Sequence, residues 1–153
     1  MATFGTFVDG ATLKASELND LFIRTSFTPV IRQSASITTS GAPTGFYQRV
    51  NKLILCQIAL TTGNPGTANN RIEIDLPVTA ATNAERVIGF GYMEDDSAND
   101  VLRVAVVRVS TTRVAFLAEG STSLTTYVGQ TGGPTFTIDS GDRFSLNIVY
   151  EAA

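Results

Sequence analysis

The densest set of residues able to do chemistry is the acidic run Met93-Glu94-Asp95-Asp96-Ser97-Ala98-Asn99-Asp100. Calcium takes oxygen ligands from loops of this kind, and a pair of carboxylates is the machinery of glycoside cleavage. The spacing fits no EF-hand loop, because the central glycine and the distal glutamate are missing. Neighbouring carboxylates on one loop are also badly placed to flank a glycosidic bond. A solvated hairpin loop is the preferred reading, with loop calcium as its alternative.

The other candidates have simpler explanations. Asp139 and Asp142 flank Ser140-Gly141 and suit a turn closed by Asx hydrogen bonds. Cys56 is the single cysteine, so no intrachain disulfide can form; it falls in phase with Ile54 and Ile58 and reads as a small buried hydrophobe. Gly129-Gln130-Thr131-Gly132-Gly133-Pro134 is glycine-rich but follows no strand-to-helix unit, so it reads as a loop and not as a phosphate cradle. The chain has no histidine. That absence removes Ser-His-Asp and Cys-His triads, the commonest general base near neutral pH and nearly every type of zinc site. No catalytic residue, metal ligand or cofactor-binding residue is assigned. The chain is expected not to be an enzyme.

Aromatic side chains in polar surroundings are the remaining candidates. Phe46, Tyr47 and Tyr127 sit in loops or at strand starts and are expected at the surface. There they would form an intersubunit contact or, as alternatives, pack locally or stack on a ligand, since tyrosine is apolar in its body and polar at its tip.

The elements that must position these residues are short strands cut apart by Gly, Thr, Ser, Asn and Pro. Leu53 to Thr62 is the longest uninterrupted one, with Ile54, Cys56, Ile58 and Leu60 on one face and Leu53 and Leu55 on the other. Apolar weight on both faces suggests a central strand or one held at a subunit interface. Arg71 to Leu76 alternates cleanly, and Pro77 stops it. Arg86 to Glu94 is expected to place Ile88, Phe90 and Tyr92 on one face and Gly89 and Gly91 on the other. Val101 to Val109 and Arg113 to Ala118 form a hairpin by spacing. Further strands are expected at 27–32, 35–39, 135–138 and 143–150, with Pro29 placing the first near an edge. Residues 1–26 differ. Ala15 to Ile23 is the one convincing helix, with Leu18, Leu21 and Phe22 on a single stripe. Together with Phe4 and Phe7 that stripe is expected either to plug one end of the β-domain or to form a docking arm for a neighbouring protein. The fold class is therefore all-β: an antiparallel sandwich or jelly roll of about nine or ten strands over residues 27–153, preceded by a short helical arm over residues 1–26.

Composition narrows the partners. At 153 residues the chain can bury a real core. Charged residues make up 16%, below the usual ~25%, so hydroxyl and amide groups must carry the polar surface. The net charge is −3 and the cations are scattered, which disfavours binding to a phosphate backbone. No apolar run approaches the ~20 residues of a membrane span. The N-terminus lacks a signal-peptide pattern, so maturation in a cytosol is expected.

The segments Phe27-Thr28-Pro29-Val30-Ile31, Gly45-Phe46-Tyr47-Gln48-Arg49-Val50-Asn51-Lys52-Leu53 and Ile74-Asp75-Leu76-Pro77-Val78-Thr79-Ala80 resemble, in that order, the β-rich domain recurrent in bacteriophage tail-appendage and fibre-tip proteins. Phe7 to Asn19 similarly resembles the opening of many phage minor tail and fibre proteins. Phe27 stands where tryptophan is usual, and Asn51 stands where a turn glycine is usual; Asn tolerates the positive φ such a turn needs. The resemblance implies a homotrimeric virion protein joined to other virion proteins through its N-terminus, with a host-surface glycan or protein as a further partner and no nucleic acid or membrane insertion. The expected function is a tail-associated appendage contributing to host attachment. The alternatives are a head decoration or head fibre of the same fold and a carbohydrate-binding module. No receptor residue carries over from the resemblance.

Overall fold

A computed structural model describes residues 23–82, 86–119 and 126–153. The expected N-terminal helix, with Phe4, Phe7, Leu18, Leu21 and Phe22, lies outside the described residues. Those residues hold ten strands and no helix: β1 (Thr25–Phe27), β2 (Ile31–Gln33), β3 (Ala35–Ile37), β4 (Thr44–Val50), β5 (Leu53–Thr61), β6 (Ile72–Asp75), β7 (Val87–Asp95), β8 (Asp100–Arg108), β9 (Arg113–Ala118) and β10 (Arg143–Glu151). All pair antiparallel in one sheet of order β1-β4-β5-β10-β7-β8-β9-β6-β2-β3.

The sheet curls until its two ends share one stretch of chain. β3 pairs with β2, and the chain beyond it turns onto β5, where Ser40 N–H donates to Thr61 O (2.8 Å) and Gly63 N–H donates to Thr38 O (2.8 Å). After an interruption at Gly41 (φ 75°) to Pro43, the same stretch continues as β4 along β5. Thr25 and Ser26 pair with Tyr47 and Phe46. The β-structure therefore begins two residues earlier than the expected boundary at 27. The expected strand 27–32 is broken in two: Pro29 separates β1 from β2, since it has no N–H to give a ladder.

Curling puts one face of every long strand inside. Ile54, Cys56, Ile58 and Leu60 of β5 meet Phe144, Leu146, Ile148 and Tyr150 of β10, with Val104, Val106, Val114, Phe116, Ile72 and Ile74 completing the core. Each such side chain contributes about 1.5–3 kcal/mol by leaving water. The tight turn expected at Asn51-Lys52 joins β4 to β5, with Asn51 at φ 55°. Phe27 lies across Gly45 of β4, packing edge-on to Tyr47 at 6.1 Å between ring centroids.

Two expectations are corrected. Residues 135–138 are not a strand: the segment is held by side-chain bonds to Gln33 and by Gly66 N–H donating to Ile138 O (2.7 Å). In β7 the pairing slips between Val87 and Gly89, which face Val107 and Val106. Ile88 is the extra residue of this bulge, and it turns inward while Phe90 and Tyr92 face out. Simple alternation would have kept all three together.

Candidate functional site

The bulge leaves an uncovered apolar face on the outside of the sheet. Pairing fixes its layout in rows. Phe46, Gln57, Asn147, Phe90 and Ala105 lie side by side across β4, β5, β10, β7 and β8. The next row runs Thr44, Ala59, Ser145, Tyr92 and Arg103. On the other side Leu55 pairs with Val149, and Leu53 with Glu151. Phe90 is 70% exposed and Tyr92 51%, with Leu53, Leu55, Val101 and Val149 also exposed. Side chains from Val87 to Val149 line a groove of about 1050 Å³ here, which abuts a second groove of about 360 Å³ over Phe46, Leu55 and Gln57.

Gly89 and Gly91 account for the shape. A methyl group at Gly89 would fall on the carbonyl oxygen of Asn147, and one at Gly91 on that of Ser145. Their bareness lets β7 lean onto β10, and so lets the sheet curl while its aromatic residues stay outside. Charges sit around the edge of the face: Arg143 bonds Glu94 (2.9 Å), and Arg103–Glu119 and Lys52–Glu151 are loose pairs at 3.8 Å.

Of the three aromatic residues expected at the surface, Phe46 lies on the outer face and Tyr47 and Tyr127 turn to local packing. Tyr127 is 8% exposed; Val128 N–H donates to Phe116 O (2.9 Å), setting the segment beside β9, and the Tyr127 ring joins Val107, Ala115 and Leu117. Its hydroxyl accepts a bond from Arg86 (2.8 Å), and the Arg71 guanidinium lies 5.0 Å from the ring centroid. Tyr47 faces inward against Phe27. Phe46 is on the outer face but half-buried, with the Arg24 guanidinium 4.3 Å from its ring centroid. The exposed aromatic residues are instead Phe90 and Tyr92. The signal that could have found them was Met93: it is in phase with Gly91 and fully buried, so the glycine side of β7 is the core side.

The acidic run is a hairpin turn between β7 and β8. Ser97 Oγ and Ala98 N–H bond Asp95 (2.7 and 2.9 Å) and hold its carboxyl below the usual range. The expected Asx closure is present nearby: the buried Asp142 carboxylate accepts from Asp139 N–H (2.7 Å) and Asp96 N–H (3.1 Å). Among the described residues no group of three or more His, Cys, Asp or Glu side chains is placed to hold a metal ion. Burial pushes the Cys56 thiol up to about 12, so it is not a thiolate near neutral pH.

Burial also raises the Asp142 carboxyl, and the nearby Asp95 and Asp139 charges add to this against the two N–H bonds. A carboxyl raised on folding holds its proton more tightly when folded. Its stabilisation is full below the unfolded value of ~3.9 and is lost as pH rises through the folded value. The stability advantage of wild type over Asp142→Asn should therefore shrink as pH rises above the unfolded value of ~3.9 in chemical denaturation. A difference constant over that rise would contradict the assignment.

Among the described residues no helix is long and apolar enough to cross a membrane. No protein-family model matches the chain, and no curated protein or solved structure shows significant similarity to it.

Proposed function

We propose that this chain is a bacteriophage virion structural protein: a homotrimeric tail-associated appendage that contributes to host-surface attachment. Its β-domain is of the sandwich or jelly-roll class, and its N-terminal residues are the docking arm to other virion proteins. The observation that carries this reading is the apolar outer face. Leaving Phe90, Tyr92, Leu53, Leu55 and Val149 in water forgoes about 1.5–3 kcal/mol per fully buried side chain, and patches of this kind mark interaction surfaces. A chain without histidine, with few charges, and with Cys56 buried suits a role in assembly better than one in catalysis. The resemblance of Phe7 to Asn19 and of the Phe27, Gly45 and Ile74 segments to phage tail proteins supplies the address.

The test is incorporation. Particles assembled with the full chain should carry it at a few copies on the tail, whereas a chain lacking residues 1–24 should fold and stay off the particle. Tens to hundreds of copies on the head would move the protein to the head-decoration alternative. Insolubility of the truncated chain would make the N-terminal segment an internal plug.

A second reading, carbohydrate binding, is favoured by one observation. Phe90 and Tyr92 each have a hydrogen-bonding side chain directly across the ladder, Asn147 and Ser145, an arrangement that suits a sugar with one apolar face and hydroxyl edges. Loss of neutral-oligosaccharide binding on Tyr92→Ala would support this reading, and absence of binding at millimolar sugar would remove it.

A further inference from the structure

We infer that the outer face of β5, β10, β7 and β8 is where copies of this chain meet, with Phe90 and Tyr92 at the centre of the contact. The inference rests on the oligomeric reading above and assigns it a surface. Three features of the face select a second copy as its occupant.

Size is the first. From Leu53 to Val101 the face spans five cross-strand rows, and from Phe46 to Ala105 it spans five strands. At ~6.8 Å per row and ~4.8 Å per strand this is roughly 27 by 19 Å, or about 510 Å² in projection. That approaches the ~600 Å² per partner at the lower end of specific interfaces. Such an area exceeds what one or two sugar rings would cover.

Charge is the second feature. The centre, with Leu55, Val149, Phe90, Tyr92, Asn147 and Ala105, holds no ionisable side chain other than the tyrosine hydroxyl. The rim carries cations and carboxylates together, and its pairs Arg103–Glu119 and Lys52–Glu151 are loose, with every partner more than half exposed. A rim presenting both signs suits contact between copies: around a three-fold axis each Arg or Lys can meet a Glu of the neighbouring copy at no net cost in charge. A strongly acidic or basic partner would find no matching field.

Anatomy is the third. An uncharged, aromatic-rich centre inside a polar rim is the arrangement of protein–protein contacts, and aromatic anchors carry most of their energy.

The experiment uses the full chain. Cys56 is buried, so one introduced thiol reports alone. Ser145→Cys is nearly isosteric and lies beside Tyr92 in the face; Ser36→Cys on β3 is an exposed control away from it. Labelling of Ser145→Cys by a thiol reagent should slow at least tenfold as protein concentration rises through the association range, with Ser36→Cys unchanged. Phe90→Glu, at a site 70% exposed, should keep its β-sheet circular dichroism, sediment as a monomer, and restore fast labelling when combined with Ser145→Cys. A wild-type chain that is monomeric at every concentration overturns the oligomeric reading and this inference together. An oligomer in which Ser145→Cys labels at a constant rate and Phe90→Glu still associates overturns the face assignment alone. Protection by added neutral oligosaccharide, without dependence on protein concentration, gives the face to a glycan and overturns the inference.

Discussion

Gln33→Leu should lower the unfolding free energy by about 4 kcal/mol, because three buried backbone groups lose their partner at once. Gln33 is fully buried. Its Nε2 donates to Asn70 O and Phe136 O, both at 3.1 Å, and its Oε1 accepts from Ile138 N–H at 3.1 Å. Gly66 and Gly129 pack directly on the amide, with no space for a larger residue between them. One side chain on a short strand thus fixes the irregular segment 135–138, which has no ladder of its own. Leucine fills similar volume but leaves two carbonyls and one N–H dry, each costing ~1–3 kcal/mol. Gln33→Glu keeps the acceptor for Ile138, yet it loses both donated bonds and buries a charge, so it should be no milder. Denaturant midpoints with unchanged slopes are the measurement, and a loss below ~1 kcal/mol would show that water or local rearrangement satisfies these groups.

Gly89→Ala should cost roughly 2–3 kcal/mol, although exchanging glycine for alanine at a compatible position usually gains ~0.4–1 kcal/mol by restricting the unfolded chain. The sign reverses because the added methyl group falls on the Asn147 carbonyl and within 3.0 Å of Ile148 Cα. Both atoms belong to the backbone of β10, in the middle of the sheet, where nothing flexible can yield. β7 must then move off β10, which flattens the curl and spoils the bulge that turns Phe90 outward. A variant as stable as wild type would mean that the glycines are not what permits the close approach.

Much of the fold was legible because antiparallel strands with one buried face write a period of two into the chain. Ile54, Cys56, Ile58 and Leu60, and Phe144, Leu146, Ile148 and Tyr150, alternate as expected and are buried as expected. The Asn51-Lys52 turn and the β8–β9 hairpin were also legible, since turn chemistry is local. The face of β7 was not. A bulge adds one residue without changing composition, so Ile88 and Phe90 look equivalent until the pairing with Val106 and Val107 is known. Tyr127 was misplaced for a related reason. Val107, Ala115 and Leu117 signal that β8 and β9 are covered on both sides, but nothing local says which distant segment supplies the cover. The Gln33 clamp joins residues more than 100 positions apart, and a single glutamine carries no sign of that. The Leu53 and Leu55 side of the outer face was legible as apolar weight on both faces of one strand, but its Phe90 and Tyr92 centre needed the register.

That this chain is a self-assembling building block is tested by the mass of the 153-residue chain in light scattering or sedimentation at micromolar concentration. A homotrimer gives a particle about three times the 16.3 kDa of the chain, dissociating on dilution or on Phe90→Glu. A species of 16.3 kDa at every concentration would contradict it.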